Sequence, residues 1–141
     1  MKPTMKALAS CPCGGPSYAT CCGPFIDGSA LAPSAETLMR SRYTAYTLRN
    51  DAYLRATWHP STRPAAAIAS DDESLQWLGL DVKSALRLRK RKVNENGDME
   101  HDSVEFVARY KINGRAHRLH ELSRFVREGG CWLYLDGSFP E

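Results

Sequence analysis

Val104-Glu105-Phe106-Val107-Ala108-Arg109-Tyr110-Lys111-Ile112-Asn113-Gly114-Arg115 is the stretch that decides the fold. Val104, Phe106, Ala108, Tyr110 and Ile112 alternate with Glu105, Arg109 and Lys111, the period of two expected of a strand with one buried face. Asn113-Gly114 then reverses the chain, because both residues tolerate the positive φ of a tight hairpin turn. A two-residue turn there fixes the register: Ile112 pairs with Arg115, Phe106 with Glu121 and Val104 with Ser123. A second two-residue loop at Gly129-Gly130 sets Phe125 against Tyr134 and Ser123 against Asp136. One face then carries Phe106, Tyr110, Leu119, Phe125, Trp132 and Tyr134, with Glu121, Ser123 and Asp136 set among them. A single bulge would invert part of that face.

Working upstream, Leu80, Val82, Leu86 and Leu88 alternate with Asp81, Lys83, Arg87 and Arg89 before the turn signal Asn96-Gly97. A strand beginning near Trp77 therefore completes a four-stranded antiparallel meander. Residues 34–76 read as helical. Ser34 is an N-cap, Glu36 sits in the first turn where a carboxylate suits the helix dipole, and Leu38, Met39, Tyr43 and Tyr46 form a stripe through about Arg49. Asp51 caps a second short helix carrying Tyr53, Leu54 and Trp58, which Pro60 ends. The alanine-rich stretch 64–70 predicts another turn or two. Helices followed by an antiparallel sheet make an α+β domain with the helices covering one face.

At 141 residues, 43% hydrophobic and 25% charged, the chain is one soluble globular domain with room for a small appendage. A net charge of +3 does not by itself imply nucleic-acid binding. No apolar run approaches the ~20 residues of a membrane helix. Leu8-Ala9-Ser10-Cys11 resembles a lipoprotein cleavage box, yet the ten residues before Cys11 include Lys2, Pro3 and Lys6 and leave no space for an apolar leader. A cytoplasmic protein without membrane contact is expected. In a reducing compartment, clustered cysteines read as metal ligands before they read as disulfides.

Four of the five cysteines and five of the eight prolines fall within residues 1–33, a loop-rich segment. Cys11-Pro12-Cys13 offers two sulfurs, Gly14-Gly15 permits a sharp reversal, and Cys21-Cys22 brings back two more, with Tyr18 able to shield them. Zinc takes four tetrahedral ligands and favours thiolate. Its binding carries an apparent free energy of roughly 10–16 kcal/mol, enough to order a segment with little core. The competing readings are buried unliganded thiols or a vicinal disulfide. Cys131, alone between Gly130 and Trp132, reads as a small core residue.

Cys11-Pro12-Cys13-Gly14, Tyr18 and Cys21-Cys22-Gly23 resemble the SEC-C motif found at the C-terminus of the bacterial preprotein translocase motor ATPase. The motif has eight residues between its second and third ligands, whereas seven separate Cys13 from Cys21 here. Beyond the knuckle, Cys22-Gly23-Pro24-Phe25, Leu38-Met39-Arg40-Ser41-Arg42-Tyr43, Thr57-Trp58-His59-Pro60, Trp77-Leu78-Gly79-Leu80, Ser123-Arg124-Phe125 and Leu135-Asp136-Gly137 resemble the YchJ-type family of small bacterial proteins over nearly the whole chain. That resemblance implies a central domain like nuclear transport factor and ketosteroid isomerase, cystatin-like in order, with a curved sheet wrapped on helices into a cone. It implies a zinc knuckle over residues 1–30 and the α+β cone over 31–141. It implies no settled activity.

Cones of this type hold a pocket between sheet and long helix, and some use an acid–base pair there. The candidates here are Tyr43, His59, Trp77, Glu121, Ser123 and Asp136. The plain alternative is that each is satisfied structurally, the carboxylates through Arg40, Arg42 or Arg124, and His59 as a cap or surface residue. His117 and His120 fall on opposite faces of one strand and cannot easily share a metal. The run from Lys83 to Lys92, with Arg87, Arg89, Lys90, Arg91 and Lys92, holds six cations and no acid. It suits contact with an RNA backbone, or equally a solvated strand face. Three functions follow: a zinc-binding adaptor that docks on a chaperone, ribosome or nascent chain; an enzyme working in the cone's pocket; or a sensor or carrier of iron or zinc.

Overall fold

The computed structural model describes residues 11–15, 17–66, 68, 74–83, 92–93 and 100–139. After a 3-10 turn at Tyr18–Thr20 come three helices: α1, Gly23–Ile26; α2, Ala35–Thr47; and α3, Asp51–Ala56. The strands are β1, Gln76–Val82; β2, Lys92–Val93; β3, Glu100–Ile112; β4, Arg115–Glu128; and β5, Cys131–Ser138. The long strands run in the order β1-β3-β4-β5, each antiparallel to its neighbour. Two-residue β2 extends the same edge of β3 beside Glu100 and His101. Helices on one face of an antiparallel meander are the α+β architecture that the periodicities call for.

Ser34 caps α2 by accepting a bond from the Thr37 amide, with Glu36 behind it. Asn50, not Asp51, caps α3: its side chain accepts from the Tyr53 amide, and Asp51 stands in the first turn. The helix stops at Ala56, and Trp58 leaves it to bridge Tyr134 on the free edge of β5. The expected turn at 64–70 is replaced, among its described residues, by backbone carbonyls at 64–66 that accept bonds from the Arg55 guanidinium.

Between β3 and β4 the register is the one that the Asn113-Gly114 turn requires, with φ of 51° and 78° at the two turn residues. Between β4 and β5, Phe125 meets Tyr134 as expected, but the next pair is Arg124 with Asp136 and then Ser123 with Gly137. Leu135 is thus an extra residue on β5. Its carbonyl accepts a 2.6 Å bond from the Thr62 hydroxyl, so the loop after α3 engages β5 where the ladder slips. This overturns the expected pairing of Ser123 with Asp136 and turns Asp136 to the outer face.

Val104, Phe106, Ala108, Phe125 and Trp132 of the sheet pack with Leu38, Met39 and Tyr43 of α2 in one apolar core. Cys11, Cys13 and Cys22 belong to the same cluster, so the knuckle is seated on the core. Cys131 is not part of it; it opens β5 only partly buried. Residues 84–91 lie outside the described set, and with them most of the expected continuation of β1 and Arg87, Arg89, Lys90 and Arg91. Lys92 is placed in β2, and Lys83 pairs with Asp81 at 3.0 Å. No helix among the described residues is long and apolar enough to cross a membrane.

Candidate metal centre and adjoining cavity

The four knuckle sulfurs converge. The sulfurs of Cys11, Cys13, Cys21 and Cys22 all lie within 4.8 Å of one another. Cys13 and Cys21 are separated by 3.6 Å, Cys13 and Cys22 by 3.7 Å, and Cys21 and Cys22 by 4.0 Å. Four thiolates ~2.3 Å from a central ion form a tetrahedron with edges of about 3.8 Å. The spacing therefore fits a tetrahedral thiolate site and is far too long for a disulfide, whose S–S bond is about 2.05 Å.

Local sequence builds this geometry. The Cys11 amide bonds to the Gly15 carbonyl at 3.1 Å, and the Gly14 amide to the Cys11 carbonyl at 2.9 Å, closing a tight loop that points both first sulfurs inward. A Cβ on Gly15 would stand 2.6 Å from the Cys21 sulfur, so the glycine leaves room for the opposite pair. The helix α2 then fixes the knuckle from behind. Thr44 Oγ1 donates to the Cys22 sulfur at 3.3 Å and lies 3.6 Å from that of Cys11, while Arg40 donates to the Cys13 carbonyl at 3.1 Å.

Without an ion the sulfurs compete for protons. Hydrogen bonding from Cys22 pulls the Cys13 thiol down to about 5. Burial pushes Cys21 up to about 12, and the bond to Cys13, followed by burial, pushes Cys22 up as well. A cation supplies the charge that lets all four ionise together. The same donor set serves zinc or iron.

On the other side of α2 lies a cavity of about 190 Å³. Met39, Arg42, Tyr43 and Tyr46 line it from α2 and Trp77 from β1; the concave face of the sheet supplies Phe106, Ala108, Leu119, Glu121, Ser123, Phe125 and Tyr134. Tyr43 meets Trp77 edge-on at 5.6 Å, and Trp77 is tilted against Tyr110 at 5.3 Å. Within this aromatic shell the Glu121 carboxylate is held by one oxygen: Oε2 accepts from Ser123 Oγ and from Tyr134 OH, each at 2.8 Å. Burial, then the neighbouring Glu121, pushes Tyr134 well above the ordinary phenol range, and burial lifts Tyr43 to about 12. Both phenols are therefore donors at neutral pH.

Arg42 forms the opposite wall. Its Nη1 donates to the Leu54 carbonyl at 2.8 Å and to Thr57 Oγ1 at 2.7 Å. Its guanidinium carbon stands 4.6 Å from the Tyr134 ring centroid and 5.2 Å from that of Trp58.

Of the residues expected to form a pocket, Tyr43, Trp77, Glu121 and Ser123 come together and two do not. The bulge sends Asp136 to the outer face, where Arg124 grips both its oxygens at 2.7 and 2.6 Å. His59 follows α3 outside the cavity, its ring between Ser61 and Glu128. Arg42, Tyr46 and Thr44 were missed as site residues. The signal that could have found them is a cation and a hydroxyl at positions that α2 has to bury.

Residues 34–137 match the family described as YchJ, middle NTF2-like domain. A UPF0225 protein of Methylibium petroleiphilum is 54% identical over 138 residues, covering 97% of this chain and 94% of that one. A UPF0225 protein of Ralstonia nicotianae is 51% identical, covering 96% and 94%. Among solved structures, a SEC-C motif containing protein from Rhodopseudomonas palustris superposes with a TM-score of 0.72 at 31% identity, covering 94% of this chain and 99% of that one. A second, from Psychrobacter arcticus, gives 0.68 at 26% identity, covering 96% and 86%.

Proposed function

The chain belongs to the YchJ/UPF0225 family, and from that premise we propose that it is a zinc-stapled interaction module. Its N-terminal knuckle is a closed structural metal site, and its role is to present a fixed surface to a protein partner, in the class of a chaperone, a ribosome or a nascent chain. The observation that carries the metal half is the sulfur spacing of 3.6, 3.7 and 4.0 Å, matched to the edge of a zinc–thiolate tetrahedron. Four protein thiolates fill that tetrahedron and leave no place for a water, so hydrolysis at the metal is not part of the reading. The partner half rests on likeness to SEC-C proteins and on the knuckle being held rigidly to α2 by Thr44 and Arg40.

The test has two stages. Elemental mass spectrometry on untagged protein purified without added metal is expected to give one zinc per chain, lost in the double variant Cys21→Ser/Cys22→Ser. Cosedimentation with purified ribosomes, with and without exposed nascent chains, then compares zinc-loaded protein with that variant. Binding lost with the metal supports an adaptor role at the ribosome. Equal binding by both forms refutes a docking role for the knuckle. Iron, or metal far below one per chain, moves the reading to metal sensing or delivery.

A further inference from the structure

We propose that the cavity between α2 and the concave sheet face binds a small uncharged molecule with an aromatic body and an amide-like edge, one hydrogen-bond donor beside one acceptor. The inference is argued from the cavity's own lining and not from the identity of the metal or of a docking partner, so it stands or falls apart from the adaptor reading. Size comes first. A dry cavity of about 150 Å³ accepts benzene, so about 190 Å³ admits a ring with a short polar group attached. The walls suit a ring: Tyr43, Trp77, Phe106 and Phe125 give faces and edges for offset contacts.

Polarity decides the rest. Glu121 is only 8% exposed, yet among the described residues every bond to its carboxylate falls on Oε2. Glu121 lines the cavity, and with Oε2 taken by Ser123 and Tyr134, Oε1 is the oxygen left for a ligand. Arg42 is 5% exposed, commits Nη1 to the Leu54 carbonyl and Thr57, and lines the cavity together with Tyr46.

Among the described lining residues these are the two charged groups, and they cancel. A ligand with net charge would leave one charge uncompensated in a setting of low dielectric, so the favoured ligand is neutral. It must still give a proton to Glu121 Oε1 and offer an oxygen to Arg42. The two ends are joined by Tyr134, whose ring lies against Arg42 and whose hydroxyl touches Glu121. An amide carries a donor and an acceptor side by side, the pair that a carboxylate and a guanidinium lining one cavity call for.

The experiment titrates full-length zinc-loaded protein with four probes that share one ring: benzamide, benzoate, benzylammonium and toluene. Binding is read from the indole N–H resonance of Trp77. Benzamide is expected to bind at least tenfold more tightly than the other three. Ala108→Leu, which adds bulk to the cavity wall and leaves both charged residues in the chain, is expected to abolish its binding while leaving the circular dichroism spectrum unchanged. Glu121→Gln removes the negative charge and is expected to make benzoate the preferred probe. The proposal is overturned if wild-type protein prefers benzoate or benzylammonium, binds toluene as well as benzamide, or binds none of the four. Benzamide binding that survives Ala108→Leu overturns the location.

Discussion

Replacing Gly137 by alanine adds one methyl group on an ordinary strand backbone, yet it is expected to be among the costlier single changes in the cone. A Cβ there would overlap Glu121 Oε2 and stand 2.7 Å from Cδ and 3.0 Å from Cγ, so the whole end of the side chain has to move. Movement breaks the pair of 2.8 Å bonds from Ser123 and Tyr134. Hydrogen bonds to a charged group contribute about 1.5–3 kcal/mol each. If one re-forms after the shift and the other does not, and the glutamate is held off its preferred rotamer for a further ~1 kcal/mol, the loss is about 2.5–4 kcal/mol. Restriction of the unfolded chain offsets about 0.4–1 kcal/mol of this, leaving roughly 2–3. With a urea m-value of about 1.5 kcal/mol/M the midpoint falls by about 1.3–2 M. Gly79→Ala is the control, since nothing lies within 4 Å of its Cβ position; it is expected to be neutral or slightly stabilising. The decisive measurement is the double-mutant cycle with Glu121→Ala. If the clash with Glu121 is the cause, Gly137→Ala costs little in that background. An equal cost in both backgrounds, or a cost below about 0.5 kcal/mol in the wild type, would refute the reasoning.

Thr44→Val keeps the shape of a buried side chain but removes the donor to the Cys22 sulfur, and is expected to weaken zinc about 10–100-fold, measured by competition with a chromogenic chelator. Arg42→Met abandons the Leu54 carbonyl and Thr57 and is expected to cost about 3 kcal/mol, a fall of roughly 6–12 °C in Tm by calorimetry. The hydrogen bonds from Arg124 hold the Asp136 carboxyl below its usual range, so this pair stabilises the fold above a pH of about 4 and stops doing so as pH falls through the depressed value. Both partners are well exposed, so Asp136→Asn is expected to cost no more than about 1 kcal/mol at pH 7, with the difference shrinking as pH falls through the depressed value. Asp136→Asn is also expected to leave probe binding in the cavity unchanged.

The β3–β4 hairpin was legible to the residue because a two-residue turn at Asn113-Gly114 admits one register, and every pair outward follows from it. That is why Glu121 and Ser123 were placed on the concave face without seeing it. Asp136 was misplaced for a physical reason: the slip at Leu135 comes from the Trp58 bridge and the Thr62 bond to the Leu135 carbonyl, both made by a segment more than 70 positions earlier. Periodicity within one strand carries no trace of such a partner. The knuckle was legible because ligand chemistry is local, with all four sulfurs drawn from twelve consecutive residues. What lies behind the sulfurs was not: Thr44 and Arg40 reach the knuckle only through tertiary packing.

The same packing explains why α2 shows no clean apolar stripe. At 3.6 residues per turn, Arg40 and Thr44 share one face, and both are given to the knuckle. Met39, Arg42, Tyr43 and Tyr46 form a second face that walls the cavity. Between them Ser41, whose hydroxyl meets that of Tyr53 at 2.7 Å, points toward α3. A helix with three clients buries nearly its whole circumference, so polar residues are needed at buried positions to satisfy partners that are themselves polar. It follows that the metal site and the cavity share a rigid wall. Losing the metal frees the face held by Thr44 and Arg40, and α2 can relax only by moving Tyr43 and Tyr46 against Trp77. Metal-free protein should therefore show altered Trp77 and Tyr43 resonances although neither residue belongs to the four-sulfur set. Unchanged resonances after complete metal removal would mean that sheet packing alone holds the helix in place.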